Sequence, residues 1–138
     1  MDPEIRYETS LEGVDWGQMK ASLAADHFDN GRTAEQLRES FANSHTAVVA
    51  YDGDRIVGTA RVLSDGVCNA YVVDVWTLSA YRGRGVARRM MWRLEGGLRG
   101  QHVYLFSDDA VEFYKKLGYR EQPTGLSKVI GEWLEKTS

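Results

Sequence analysis

Residues 71–87 read Y-V-V-D-V-W-T-L-S-A-Y-R-G-R-G-V-A, and this stretch decides the fold. Its first half is rich in valine and aromatic residues, which favour a β-strand. Its second half contains Gly83 and Gly85 and leads into residues 86–98, whose apolar side chains recur at helical spacing. The stretch therefore predicts a strand, a glycine loop and a helix in direct succession.

The start of the predicted helix has the properties of an anion-binding site. The first N–H groups of a helix lack intrahelical partners and carry partial positive charge, and glycines let the backbone approach an anion closely. Six arginines lie between residues 82 and 99, where Glu95 is the only acid. The pattern favours a phosphate cradle. The alternative is an exposed, arginine-bearing helix that follows an ordinary glycine turn.

Two familiar phosphate-binding loops do not fit these residues. A P-loop ends in Gly-Lys-Ser or Gly-Lys-Thr, which this stretch lacks. The dinucleotide motif G-x-G-x-x-G would need its third glycine where Arg88 stands. Both nucleotide interpretations are weakened.

The rest of the chain predicts one mixed α/β domain over residues 1–138. An Asp-Gly pair at residues 52–53 favours a hairpin, and Thr33 with Gln36 forms a capping box at a helix start. In chain order we predict a strand at 5–9, helices at 15–25 and 33–41, strands at 46–51, 55–63 and 70–78, a helix at 86–98, a strand at 103–106, a helix at 110–117, and further strand from Tyr119 to near Trp133.

Composition limits the function classes. Of the 138 residues, 43% are apolar and 27% charged, which is typical of a globular domain. With 17 basic and 20 acidic residues the net charge is −3, so we expect neither nucleic acid nor membrane as a partner. Cys68 is the only cysteine and the three histidines lack metal-ligand spacing, so we expect no metal site. No signal peptide or membrane-spanning run is visible, and we expect a cytoplasmic protein.

Residues 82–87, R-G-R-G-V-A, resemble the Q/R-x-x-G-x-G/A acyl-CoA loop of the GCN5-related N-acetyltransferase (GNAT) superfamily. Residues 77–81 resemble the strand end before that loop, with Ser79 where the family usually has proline. Residues 110–119, A-V-E-F-Y-K-K-L-G-Y, are similar to the family signature A-x-x-F-Y-x-K-x-G-F. The stretch 55–125 looks similar to a small subgroup that includes plant plastid serotonin and protein-lysine acetyltransferases.

This resemblance implies a GNAT-like α/β (α+β) fold with a mixed, mostly antiparallel central sheet, helices on both faces and two strands after the last helix. It implies acetyl-CoA as co-substrate. It also implies acetyl transfer to a primary amine, on a small molecule or a lysine side chain, by direct attack in a ternary complex. The residues implied in binding the CoA diphosphate through their backbone are Arg82, Gly83, Arg84, Gly85, Val86 and Ala87. Those implied beside the pantetheine arm are Trp76, Thr77 and Leu78.

Three proton and charge roles complete the predicted chemistry. The N–H of Thr77 or Leu78 is the candidate donor to the oxyanion. Asp74, an acid within an apolar run, is a candidate general base whose pKa burial would raise; the alternative is a structural ion pair with an arginine. Tyr114 is the candidate acid that protonates the CoA thiolate, and the alternative is a core aromatic side chain.

The acceptor amine is left open by the sequence. An aromatic slot would suit an arylalkylamine, and nearby acids would attract a polyamine or lysine. The aromatic candidates are Trp16, Phe28, Tyr71, Trp76 and Trp133, and the acidic candidates are Asp26, Asp29 and Glu35. Two other functions remain: a catalytically idle acyl-CoA-binding or sensor module, and a nucleotide-binding domain unrelated to CoA. A homodimer is possible by analogy with relatives.

Overall fold

The computed structural model describes residues 4–135. Its strands are β1 (Arg6–Glu8), β2 (Thr46–Asp52), β3 (Arg55–Ser64), β4 (Asn69–Thr77) and β5 (His102–Tyr104). Its helices are α1 (Trp16–Ala25), α2 (Ala34–Ala42), α3 (Val86–Glu95) and α4 (Val111–Lys116), with a 3₁₀ turn at Ser79–Tyr81. Through α4, the element order is the one predicted from the sequence.

The strands form one sheet in the order β1-β2-β3-β4-β5, in which only the β4–β5 pair is parallel. Helices cover both faces. Val49 packs with residues of α1 and α2 in one core cluster. Its neighbour Ala50 pairs with Gly58, against which Met90 of α3 lies. Since successive strand residues point to opposite faces, α3 lies on the face opposite α1 and α2, and the predicted fold class is confirmed.

Local signals set the helix starts. The Asp15 carboxylate accepts a hydrogen bond from the N–H of Gln18 at 2.9 Å, and the predicted capping box of Thr33 and Gln36 is formed in both directions. Helix α4 has no side-chain cap. The residue before it is Ala110, whose N–H donates to Ser107 Oγ at 3.0 Å.

Strand β4 contains one residue more than β3 can pair. Between the pairs Thr59–Trp76 and Arg61–Val73 the register shifts by one, which is a β-bulge. Asp74 lies in the bulge with a φ of 55°, and its carbonyl accepts a hydrogen bond from Thr59 Oγ1 at 2.9 Å. On the other edge, β5 pairs with β4 only as far as Tyr71. The second half of β4 is therefore bent and paired on one side only.

The strands predicted after α4 are absent from the described residues. Pro123 and Gly125 interrupt residues 119–135, and Gly131 and Leu134 have φ values of 67° and 60°, which no extended strand contains. The apolar residues that suggested a strand are exposed, Leu126 at 96% and Ile130 at 78%. They do not form a buried sheet face.

Residues 4–106 and 107–135 form two compact units. The first contains the sheet and α1 to α3, and the second contains α4 and the segment after it. No helix in the described part of the chain has the length and apolar character needed to cross a bilayer.

Replacing Leu94 of α3 by alanine should lower the free energy of unfolding by about 3 kcal/mol, because a fully buried side chain leaves a cavity under the sheet. Urea denaturation followed by circular dichroism measures the change. Arg93→Ala is the matched control on the same helix and should cost less than about 0.5 kcal/mol. Equal losses in the two variants would contradict this packing.

Candidate active site

The loop between the 3₁₀ turn and α3 is open and shaped by glycine. Gly83 and Gly85 have φ values of 79° and 81°, a left-handed conformation that other residues rarely adopt. Nothing lies within 4 Å of the point where a Cβ would stand on either glycine. Gly85 is also the residue before α3, and no side chain caps the helix there.

The backbone donors of this loop are free. The N–H groups of Tyr81, Arg82 and Arg89 donate to the carbonyls of Leu78, Ser79 and Gly85. Between them, the N–H groups of residues 83–88 have no hydrogen-bond acceptor within residues 4–135. A row of unpaired N–H groups at an exposed helix start, with a positive helix end behind it, fits a diphosphate.

Tyr81, which directly precedes the loop, is held in place by burial and by a hydrogen bond. Its ring is 8% exposed, and its hydroxyl donates to the carboxylate of Asp52. That hydrogen bond raises the pKa of Tyr81 above its ordinary value, with burial as the second cause. The Arg84 guanidinium lies over the same ring, 5.3 Å from its centroid.

The open edge of β4 continues into this loop. Leu78 donates its N–H to the Val57 carbonyl at 2.8 Å, so Leu78 is not available as the predicted oxyanion donor. In an antiparallel ladder the preceding residue, Thr77, then directs its N–H and carbonyl away from β3. The Thr77 carbonyl accepts a hydrogen bond from Arg82 Nε at 3.1 Å. The Thr77 N–H is the remaining donor of the pair predicted from the sequence.

Thr77 also carries an orphaned polar atom. Its Oγ1 is buried and, among the described residues, is the one such side-chain atom without a hydrogen-bond partner. Buried hydroxyl groups usually have a partner. An extended ligand beside β4 would supply one, so these residues fit the pantetheine arm of CoA.

The Trp76 side chain does not fit the aromatic acceptor slot for which it was a candidate, and its predicted place beside the pantetheine arm stays a prediction. Its side chain is 2% exposed and belongs to the core cluster beneath α1 and α2. The indole Nε1 donates to Asp26 Oδ2 at 2.8 Å. The ring therefore supports the end of β4 from the core and does not line an acceptor slot.

Asp74 is engaged in the ion pair that the sequence analysis left as its alternative. Arg32 donates to both of its carboxylate oxygens, at 2.9 and 3.1 Å, and Arg61 Nε donates to Oδ2. All three side chains are at most 15% exposed. Arg61 also reaches Ser40 O and Ser44 Oγ at the end of α2.

The three acids considered for the acceptor site all have basic partners. Asp29 pairs with Lys20 at 2.9 Å, and Glu35 with Arg38. In each case the hydrogen bond from the basic partner is the main cause that lowers the pKa of the carboxyl group. The Asp26 carboxylate accepts hydrogen bonds from the Trp76 indole, the backbone N–H of Ser79 and the Arg82 guanidinium.

Four of the five aromatic candidates for the acceptor slot lie within residues 4–106. Trp16 packs against Phe41, with ring centroids 5.5 Å apart, and Trp76 is in the core. Phe28 and Tyr71 are exposed at 41% and 39%, and Tyr71 meets Phe106 edge to face. Trp133 lies in the other compact unit.

Tyr114 lies in the unit formed by residues 107–135. It is 8% exposed and packs edge to face against Phe113 and Tyr119. Burial, and secondarily the charge of Asp109, raises the pKa of Tyr114 to about 12. At neutral pH the phenol carries its proton, as it would at its ordinary pKa, and the higher pKa makes it a weaker acid.

Cys68 is exposed in the turn between β3 and β4. The Asp65 carboxylate holds this turn by accepting hydrogen bonds from the N–H groups of Val67 and Cys68, both at 2.8 Å. In the described part of the chain, no three His, Cys, Asp or Glu side chains come together as a metal site.

A family model described as "Acetyltransferase (GNAT) family" matches residues 15–119 of this chain. The chain belongs to the GNAT acetyltransferase family. The match to the family model includes the β4 edge, the glycine loop and Tyr114, so the resemblance stated from the sequence motifs is confirmed.

Individual GNAT relatives agree with this assignment. The soybean (Glycine max) "Histone acetyltransferase TAP1" is 30% identical over 117 residues, 82% of this chain and 50% of the relative. The Arabidopsis thaliana "GCN5-related N-acetyltransferase 2, chloroplastic" is 32% identical over 86 residues, 59% of this chain and 33% of that one. This chain thus spans half or less of these curated relatives.

A solved GNAT structure shows the same fold. The GNAT-family acetyltransferase from Streptococcus pneumoniae TIGR4 superposes with a TM-score of 0.77 at 25% identity, covering 94% of this chain and all of that one. The chain therefore has the GNAT fold, and proteins of this family use acetyl-CoA as acetyl donor.

Tyr114 should make the stability of this GNAT chain fall at alkaline pH. Its pKa is about 12 in the folded chain against an ordinary value of 10.0, so the unfolded chain loses this proton first. The free energy of unfolding should then decrease as pH rises from about 10 through about 12. Urea titrations of wild type and Tyr114→Phe measure it: the free energy of unfolding of the wild type minus that of the variant should be constant below pH 9 and should fall as the pH rises above 10. Parallel curves throughout would contradict the raised pKa.

Proposed function

We propose that this protein transfers the acetyl group of acetyl-CoA to a primary amine by direct attack of the amine in a ternary complex. One observation carries the proposal: the free N–H groups of residues 83–88 adjoin a strand edge that is paired on one side only. The first feature suits a diphosphate and the second an extended thioester arm. The family membership makes CoA the ligand that has both parts.

The chain's own residues have distinct tasks in this proposal. The N–H groups of residues 83–87 bind the diphosphate, with charge-assisted support from Arg84. The Thr77 N–H faces the developing oxyanion, where a fixed donor lowers the barrier most. Acetyl-CoA supplies the thioester that the amine attacks.

Two residues are proposed to move protons. Tyr114 protonates the departing thiolate: its phenol carries a proton near neutrality, and its position matches the tyrosine of the family signature at residues 110–119. The role of Asp74 as general base stays a prediction. Two guanidinium groups already bind its oxygens, which favours a role in holding the β4 bulge over one in taking a proton.

The acceptor is a primary amine on a small molecule or a lysine side chain. The soybean relative is named a histone acetyltransferase, which supports testing lysine peptides alongside small amines. The alternative is an idle acyl-CoA-binding or sensor module, which would bind CoA and acetylate no amine. A cytoplasmic location and a homodimer remain predictions, and the Arabidopsis relative named as chloroplastic makes the first worth testing.

Gly85→Glu should weaken CoA binding at least about a hundredfold, because a carboxylate at the helix start repels the diphosphate and the left-handed φ strains the loop. Isothermal titration calorimetry with CoA measures the affinity. Gly100→Glu is the matched control, since Gly100 is an exposed glycine with a φ of 87° beyond the other end of α3. Absence of CoA binding by the wild type, or equal loss in both variants, would remove the proposed cradle.

Tyr114→Phe should lower kcat by about a hundredfold and change the KM for acetyl-CoA much less, because the proton donor acts only in the transition state. Thiol release with a panel of amines and lysine peptides gives both constants. Tyr119→Phe, which removes the hydroxyl of the ring packed on Tyr114, is the control. Unchanged turnover in Tyr114→Phe would exclude the acid role, and CoA binding without turnover on any amine would favour the idle module.

A further inference from the structure

Asp26 follows α1 directly and concentrates three hydrogen bonds on one carboxylate oxygen. Its Oδ2 accepts from Trp76 Nε1 at 2.8 Å, from the N–H of Ser79 at 3.1 Å and from the Arg82 guanidinium at 3.2 Å. The side chain is only 12% exposed. Such a convergence on one partly buried acid links distant parts of the sequence, since Asp26 is at least 50 residues from each donor.

The three donors occupy successive positions along the path into the glycine loop. Trp76 is near the end of β4, Ser79 opens the 3₁₀ turn, and Arg82 is the first residue after that turn. Arg82 in addition donates from Nε to the Thr77 carbonyl. Asp26 therefore fixes the strand end, the turn and the start of the loop relative to the end of α1.

The charge of Asp26 suits this arrangement. Burial acts to raise its pKa, but the hydrogen bonds from Trp76 and Ser79, together with the charge of Arg82, outweigh burial and lower it overall. The carboxylate is charged at neutral pH and accepts all three bonds in that form.

We infer that Asp26 is a positioning residue for acetyl-CoA: by holding Trp76, Ser79 and Arg82 at one oxygen, it sets the backbone path that presents the N–H groups of residues 83–88. Asp26 acts through these donors and does not touch the cofactor. The inference rests on the proposed function, because it assigns Asp26 to the binding of that function's co-substrate.

Two variants separate this role from a general contribution to stability. Asp26→Ala removes all three hydrogen bonds. Asp65→Ala is the matched control, because Asp65 Oδ1 also accepts three hydrogen bonds, in the turn at the other end of β4. We expect Asp26→Ala to raise the Kd for CoA and the KM for acetyl-CoA about tenfold while kcat at saturation stays within about twofold. Asp65→Ala should change none of these.

A rescue variant tests the route through the turn. Leu78 has φ −53° and ψ 134°, the conformation favoured before proline, and Ser79 is the first residue of the 3₁₀ turn, where proline fits. Ser79→Pro in the Asp26→Ala background would restrain the turn through its ring, and the lost N–H no longer has a partner. We expect this double variant to recover at least about a third of the lost CoA affinity. No recovery would show that Asp26 does not act by fixing the turn.

A spectroscopic readout in the absence of CoA guards against misfolding. The Trp76 indole N–H resonance, assigned with Trp76→Phe, should shift in Asp26→Ala while the Trp92 indole resonance keeps its position. Should Asp26→Ala fail to fold, Asp26→Asn, which keeps the shape and an acceptor oxygen but loses the charge facing Arg82, carries the same affinity test with a smaller increase expected.

The outcomes distinguish the two claims. A wild type that does not bind CoA overturns the proposed function and the inference with it. A wild type that binds CoA, with Asp26 variants that bind as tightly as Asp65→Ala, overturns the inference alone. A fall in kcat without a rise in KM would also overturn it, because that pattern belongs to a residue acting on the reaction itself.

Discussion

The open edge of β4 depends on one residue in a left-handed backbone conformation. Asp74 has a φ of 55°, a conformation that costs of the order of 1–3 kcal/mol for a residue other than glycine and that aspartate tolerates better than most. Thr59 holds its carbonyl, and Arg32 and Arg61 hold its carboxylate. Together these hydrogen bonds and ion pairs fix the bulge, so β4 bends at a defined residue. β5, paired with β4 up to Tyr71, does not continue beside it.

In the glycine loop, backbone N–H groups provide most of the proposed recognition of CoA. Arg82 is folded back on Thr77 and Asp26, and Arg84 lies over Tyr81. Arg88 and Arg89 both lie over Trp92, 5.4 and 5.8 Å from its ring centroid. What the loop offers directly is a run of N–H groups, whose direction is fixed by the chain path and not by side-chain rotamers.

Local patterns allowed most of the fold to be predicted, and the parts that failed depend on long-range contacts. The Asp15 cap, the Thr33–Gln36 capping box and the Gly83–Gly85 loop follow from residues a few positions apart. The Asp74–Arg61 pair could also have been predicted, because Asp74 is the lone charge of β4, Arg61 is the charge inside β3, and the two strands are joined by a short turn. Asp26 gave no local signal for Trp76 or Ser79. The apolar residues after Tyr119 suggested strand, but their exposure shows that strand propensity without a sheet partner was insufficient.

The exposed thiol in the β3–β4 turn has a practical consequence for experiments on this protein. Cys68 is the chain's only cysteine. A chromogenic disulfide reagent that detects liberated CoA would also react with the protein, adding one equivalent per chain to every progress curve. The same thiol accepts a single fluorophore without engineering. The nine residues of β4, at ~3.3 Å each, would separate that dye from the glycine loop by about 30 Å, a span suited to resonance energy transfer from a labelled nucleotide.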